Sequence, residues 1–397
     1  MKILVLNCGS SSIKYKLFDM EADQVIAQGG IEKIGLKDSF IKIKLPSGEK
    51  VTIEEDFPEH TKGIEFIFGL LTKGQYAVIG SMDEIDAVGH RVVHGGEKFN
   101  ASVLIDEKVI AQIVECSDLA PLHNPANLLG IHAVSKIAPD MPQVAVFDTA
   151  FHQTMPPKAY MYAIPYEYYQ KYGVRRYGFH GTSHRFVSKR ACDILGVDYT
   201  KQRIITAHIG NGGSLAAVKN GECIDTTMGL TPLEGLVMGT RSGDIDAGAV
   251  TYLMDKEGLD TKAISNVLNK KSGMLGLSGY SDMRDLTGNK DTDPRARMTF
   301  DLYNYRIKKY IGAFAAAMNG VDILVFTGGV GENQSPNRAA ICDGLDYLGV
   351  KFDAAKNELI HGDEAVISLP DSKVTVMVVP TDEEWMIASD TLKCIGK

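Results

Sequence analysis

Short apolar runs punctuate the chain. Ile3 to Leu6, Val144 to Phe147, Arg203 to Ala207 and Ile323 to Phe326 each give way to small or polar residues, the pattern of buried strands. Between them the apolar spacing becomes helical. Asn124-Pro125 reads as an N-cap followed by a proline at the first helical position, and Leu128 with Ile131, and Leu129 with Ala133 and Ile137, keep helical spacing up to Pro139. Ile307, Ile311, Phe314 and Met318 mark one face of a second helix, which Gly320 ends. Thr182 and Ser183 offer caps for a third, with Val187, Ala191 and Ile194 on its face and His180 just outside its N-terminus. Thr381 with Glu384 fits a capping box ahead of Trp385, Ala388 and Leu392. Residues 37–58 alternate and are polar enough for a peripheral hairpin. Strands interleaved with helices predict an α/β fold.

Two pairs of segments resemble each other about half a chain apart. ILVLNCGSSSIKYKLFD from Ile3 is similar to IITAHIGNGGSLAAVKNG from Ile204, and VAVFDTAFH from Val144 to ILVFTGGVGEN from Ile323. They predict a duplicated α/β core with a cleft between its halves, and 397 residues leave room for two or three domains.

Charge narrows the partners. Fifty acidic against 42 basic residues give a net charge of −8, a field that repels polyanions, so nucleic acid and anionic membranes are not expected. The six cysteines are dispersed without a CxxC spacing, which argues against a zinc ribbon or disulfide framework and for reduced thiols in a cytoplasm. The opening apolar run turns polar at Asn7, too short for a signal peptide, and no apolar stretch reaches about 18 residues.

Forty glycines are about a tenth of the chain, against roughly 7% usually, and several fall in turns suited to phosphate. Asn7 to Ser12 offers backbone N–H groups and hydroxyls without bulk, with Lys14 in reach, and His208 to Ser214 repeats the device with three glycines. The alternative for each is an ordinary hairpin turn. Gly328 to Asn333 follows a strand, but Gln334 stands where a dinucleotide fingerprint needs its third glycine, and there is no Walker sequence. His90 and His94, and His180 and His184, are four apart without the HExxH pattern, and read as hydrogen-bonding histidines rather than zinc ligands. Arg91 and Arg241 lie among small and apolar residues, which suits either bidentate contact with carboxylate or phosphate or a buried ion pair. Asp148 ends a strand, where a carboxylate can organise a metal ion or its water. The capping box accounts for Glu384, which leaves Glu383 as the candidate cation ligand.

LVLNCGSSSIKYKLF, GHRVVHGGE, APLHNPANLLGI, VFDTAFHQTMP, YGFHGTSH, HIGNGGS, MGLTPLEGLVMGTRSGDID, FTGGVGENQ and PTDEE, in this order along the whole chain, resemble the acetate kinase family. The resemblance implies duplicated actin-like (ribonuclease H-like) ATPase domains with a central cleft: residues 1–150, completed by a C-terminal helix at 384–397, and residues 151–383, carrying most of the nucleotide site. It implies a cytoplasmic homodimer that uses ATP/ADP as co-substrate with Mg²⁺, or Mn²⁺ as an alternative. Carried over by residue, ATP meets His208, Ile209, Gly210, Asn211, Gly212, Asp282, Met283, Arg284, Gly329, Val330, Gly331, Glu332 and Asn333. Ser10, Ser12 and Lys14 lie near the transferring phosphate, and Asn7 and Glu383 place the metal. Arg91, His123, His180 and Arg241 face acetate and the γ-phosphoryl group, while Val93, Leu122, Phe179 and Pro232 enclose the methyl group. Trp385 departs from a smaller aliphatic residue, and one residue is missing near Tyr280 to Asp282, which bears on the adenine contacts.

A carboxylic acid with a pKa near 4 is already ionised at pH 7, so the reaction needs alignment and charge neutralisation rather than a general base. The expected chemistry is direct in-line transfer from ATP to acetate, with Asp148 organising Mg²⁺ and its water. The rivals are a kinase for propionate or butyrate, and an actin/Hsp70-like ATPase with no carboxylate acceptor.

Overall fold

A computed structural model describes residues 1–45, 47–121 and 123–396; Leu122, expected at the methyl pocket, lies outside the described residues. Two compact units divide the chain, one made of residues 1–153 and 382–397 and the other of residues 154–381.

The first unit is built on eight strands: β1 Lys2–Gly9, β2 Ser12–Asp19, β3 Gln24–Glu32, β4 Phe40–Lys44, β5 Lys50–Glu54, β6 Ala87–Val92, β7 Val103–Leu104 and β8 Gln143–Phe147. Their order is β5-β4-β3-β2-β1-β6-β8-β7. The strands β1, β6 and β8 run parallel, which explains their near-continuous apolar runs, since both faces are covered. The helices His60–Thr72 and Asn124–Ile137 cover one face, and the C-terminal helix Glu383–Cys394 covers the other, with Ile387 and Ala388 packed among Ile3, Val5, Val144 and Val146. Gly89 makes that second packing possible. A Cβ there would stand 2.8 Å from Ile387 Cγ2 and overlap the Thr391 hydroxyl. The expected peripheral hairpin is present as β4 and β5, paired antiparallel at the sheet edge.

The second unit carries β9 Arg203–Ile209, β10 Gly213–Lys219, β11 Glu222–Thr226, β12 Ile323–Thr327, β13 Ala365–Val366 and β14 Thr375–Val378, ordered β11-β10-β9-β12-β14-β13. This repeats β3-β2-β1-β6-β8-β7, with the same parallel and antiparallel sense at each junction. The duplication is therefore topological. It confirms the first sequence pairing, β1–β2 with β9–β10, and corrects the second. Ile323 opens β12, whose counterpart is β6 at Ala87; the counterpart of β8 at Val144 is β14 at Thr375. Strand composition, not position, produced that likeness.

Three helix boundaries differ from expectation. Gly181–Leu195 has His180 itself at the N-cap, in a left-handed conformation with φ 57°, so Thr182 and Ser183 sit in the first turn. Asp382, not Thr381, caps the C-terminal helix by accepting from Trp385 N at 3.0 Å. The helix ascribed to residues after Phe300 is Pro294–Met318, capped by Asp293 and ended by Asn319 at φ 61°. A local Asp oxygen outcompetes a more distant threonine for the first free amides, which the capping-box pattern does not register.

Candidate active site

In the first unit the candidate residues gather at the carboxyl ends of the parallel strands, where open α/β sheets bind ligands. Asn7 is near the end of β1, Arg91 in β6, and Asp148 one residue beyond β8. Arg91 donates through Nε to Asp148 Oδ1 at 3.1 Å and through Nη2 to Oδ2 at 2.5 Å, with Nη1 at 3.4 Å from Asn7 Oδ1. Asp148, and the proximity of Glu383, raise the Arg91 pKa still further, so it stays charged. Glu383 opens the C-terminal helix. Burial and the repulsion of Asp148 and Glu384 push its pKa to about 7, against the opposing pull of Arg91 and Lys14. Asn7, Asp148 and Glu383 bring oxygen donors of the hard kind that Mg²⁺ takes, one of the carboxylates held back from ionising.

The turn at Ser10–Ser11 joins β1 to β2, with Ser12 facing Gly9 and Lys14 facing Asn7 across the hairpin. Residues that sequence reasoning missed hold it in place. The His60 Nε2 donates to Gly9 O at 2.7 Å, and Asn127 donates to Cys8 O at 2.8 Å while accepting from Val93 N at 3.1 Å. Asn124 grips both backbone atoms of His94. Only the motif APLHNPANLLGI hinted at the two asparagines, and nothing singled out His60. Val93 is buried and His123 is the N-cap of Asn124–Ile137.

In the second unit the turn Gly210 to Gly212 follows β9. His180 and Arg241 flank it: a Cβ on Gly212 would lie 3.8 Å from His180 Cε1 and 3.6 Å from Arg241 Nη1. His180 stacks on His208 with ring centroids 4.3 Å apart. Its Nδ1 is 2.9 Å from Ser214 Oγ, which is also 2.7 Å from His184 Nε2. The His184 Nδ1 lies 2.7 Å from Thr206 Oγ1, and Ser183 Oγ bridges His208 Nδ1 and Thr381 Oγ1 at 2.8 Å each. These imidazole nitrogens address hydroxyls. Phe179 is buried before His180, and Pro232 lends its carbonyl to Arg241 Nη1 at 3.3 Å.

Arg241 is the electrostatic opposite of Arg91. Burial lowers its pKa, and no carboxylate pairs with it among the described residues. The loop bearing it, residues 227–246, is braced by Arg176, which donates to Thr226 O and Thr227 O and pairs with Glu234 at 2.6 Å. A half-buried guanidinium that meets a carbonyl and no carboxylate has the chemistry to take an anion.

A cavity of about 570 Å³ in this unit is lined by Gly210, Asn211, Asp282, Met283, Arg284, Gly329, Val330 and Asn333, all expected to meet ATP, and by Met274, Ser281 and Gln334, which were not. Its size and mixed lining suit a nucleotide. Asp282 caps Met283–Asn289 and pairs with Arg284 at 2.7 Å, which holds its pKa down to about 2. His208, Ile209, Gly212, Gly331 and Glu332 do not line this cavity. Ile209 and Gly331 are buried, and Glu332 turns to the backbone, accepting from Gly328 N at 2.8 Å and Thr381 N at 3.2 Å. Residues Gly328–Asn333 form a short helix rather than a loop; Gly328 is at φ 75°, and a Cβ there would press on Ile209 at 2.9 Å, so the helix start needs glycine. The buried Arg338 ties down the end of this helix by donating to Gly331 O and Glu332 O at 2.9 Å.

The chain matches the Acetokinase family over residues 2–389. An acetate kinase of Phocaeicola vulgatus is 66% identical across the full length of both chains. The crystal structure of Porphyromonas gingivalis acetate kinase, 60% identical, superposes with a TM-score of 0.97 over 99% of each chain. That of a propionate kinase from Francisella tularensis, 42% identical, does so at 0.92 over 99% of each.

Proposed function

Because this chain belongs to the acetokinase family, we propose that it transfers the γ-phosphoryl group of ATP directly and reversibly to acetate, giving acetyl phosphate and ADP. The acceptor carboxylate is ionised at neutral pH and attacks without a base. The protein's task is to hold two anions together and to neutralise the charge spreading over the transferring group. In this reading the nucleotide occupies the cavity beside Gly210, Met283 and Val330. Arg241 and His180 address the phosphoryl oxygens, and Arg91, fixed by Asp148, orients the acceptor. Val93, Phe179 and Pro232 face its methyl group.

Asn7, Asp148 and Glu383 supply oxygen donors for Mg²⁺, whose contribution when bound is charge neutralisation on the phosphate oxygens. Asp148 holds Arg91 and acts as a ligand organiser, not as a base. The reading includes a homodimer and a cytoplasmic setting; all six cysteines are free thiols, and no described helix is long and apolar enough to cross a membrane.

The observation that carries the proposal is Arg241, half-buried beside Gly212 and His180 and without an acidic partner among the described residues. Trapping acetyl phosphate as the hydroxamate with acetate, propionate and butyrate is the test. Wild type should give acetate-dependent product, and Arg241→Ala should lower kcat at least about 10²-fold, the scale of losing an electrostatic stabiliser. Near-normal turnover would remove Arg241 from the chemistry, and acetate-independent ATP hydrolysis would move the chain to the ATPase class. The panel also separates the acids, because one methylene is worth only about 1–3 kcal/mol of discrimination and a propionate kinase shares this fold.

A further inference from the structure

The net charge is −8, yet acetate, acetyl phosphate, ADP and ATP are all anions, so the far field of the molecule opposes its own substrates. One surface reverses the sign. In β2 and β4 strand alternation buries Ile13, Tyr15, Leu17, Ile41 and Ile43. It turns Lys14, Lys16, Lys42 and Lys44, together with Lys50 of β5, to the opposite face. Register assembles them into two rows across the strands. Asn7, Lys14, Gly30 and Lys42 form one row, and Lys16, Gln28, Lys44 and Lys50 the next.

With Lys33 these lysines line a groove of about 600 Å³ whose acids are Glu32 and Glu384. Lys16 pairs with Glu384 at 3.2 Å and Asp382 at 3.5 Å. The other five have no salt-bridge partner among the described residues. Lys33 and Lys42 stand over the Phe40 ring at 5.8 and 5.0 Å. Gly30, lacking a side chain, keeps the floor open between Lys14 and Lys42.

Protection of a sheet edge does not account for the pattern, because Lys14 and Lys16 lie three strands in from β5. Nor does stability, since Lys44 and Lys50 face each other directly, like charge to like. The inner row ends at Asn7, beside Arg91.

We propose that this lysine face binds phosphorylated small anions, acetyl phosphate foremost, and raises their local concentration next to Lys14, Asn7 and Arg91. It rests on the kinase reading above. The test is the triple variant Lys42→Glu, Lys44→Glu, Lys50→Glu, which alters no residue given a role in transfer, assayed for ATP formation from acetyl phosphate and ADP across ionic strength. At about 20 mM salt kcat/KM for acetyl phosphate should fall roughly 5- to 10-fold, with kcat unchanged. The gap should close towards about 0.5 M salt, where screening is nearly complete. The loss should be smaller for acetate, which carries less charge, and absent in the triple arginine variant. An unchanged kcat/KM at low salt overturns the proposal, as does a loss that persists at high salt or extends to kcat. A wild type that forms no ATP from acetyl phosphate overturns the kinase reading itself and this proposal with it.

Discussion

Arg91 and Arg241 look alike in sequence, each an arginine among small neighbours, and the two readings open to them were an ion pair or an anion contact. The fold divides these readings between them. Arg91 is forked onto Asp148, so its direction is set by an ion pair, whereas Arg241 donates from Nη1 to the Pro232 carbonyl and pairs with no carboxylate among the described residues, which leaves the anion reading to the functional proposal. Beside Arg91, His90 is buried with Nε2 at 2.8 Å from Gln143 Oε1, and burial lowers its pKa from 6.5 to about 4. Between those values the unfolded chain binds a proton that the folded chain refuses. The His90 contribution to stability is thus complete above pH 6.5 and is lost as pH falls towards 4, by roughly 3 kcal/mol at the bottom of the window. Urea unfolding at pH 7 and pH 4.5 checks this: His90→Gln should lose less stability between the two than wild type. Parallel losses would assign the acid sensitivity to other groups.

Elements were legible where one physical signal dominated them. Strands buried on both faces are continuous apolar runs, and the β4–β5 hairpin alternates because one side meets water. What stayed hidden were ties across long sequence separations, such as His60 to Gly9, Asn127 to Cys8 and Arg176 to Thr226. A lone histidine or asparagine carries no local sign of the carbonyl it will meet. The same holds for Gly89, whose importance comes from a helix almost 300 residues away. Gly89→Ala forces Ile387 and Thr391 outward and should cost about 1–3 kcal/mol, the usual penalty for overpacking. That helix begins at Glu383, so the substitution should also raise the Mg²⁺ concentration needed for half-maximal turnover. Thermal melting with a Mg²⁺ titration measures both effects. A full loss of stability with an unchanged Mg²⁺ requirement would separate the helix packing from the placement of Glu383.

At the scale of the molecule, the homodimer proposed above needs a face to join its copies, and the second unit offers one to test. The helix Tyr166–Tyr172 has no buried residue, and Tyr166, Tyr168 and Tyr172 are 45–58% exposed, with Ile164 just before them at 48%. Their rings lie near one another, Tyr166 to Tyr169 at 5.6 Å and Tyr168 to Tyr172 at 6.5 Å. Aromatic residues clustered on one short helix and facing water are what an interface core contains before assembly. The homodimer in the functional reading would cover this face. Light scattering should then give twice 43.2 kDa, about 86 kDa, and Tyr166→Glu with Tyr172→Glu should shift the mass towards 43 kDa, since two charges at the centre of an apolar contact leave it unpaired and desolvated. Because neither tyrosine touches the nucleotide cavity or Arg241, the dissociated variant should keep its fold by circular dichroism. A wild type already monomeric at micromolar concentration, or a double variant that remains a dimer, would rule out this face as the interface.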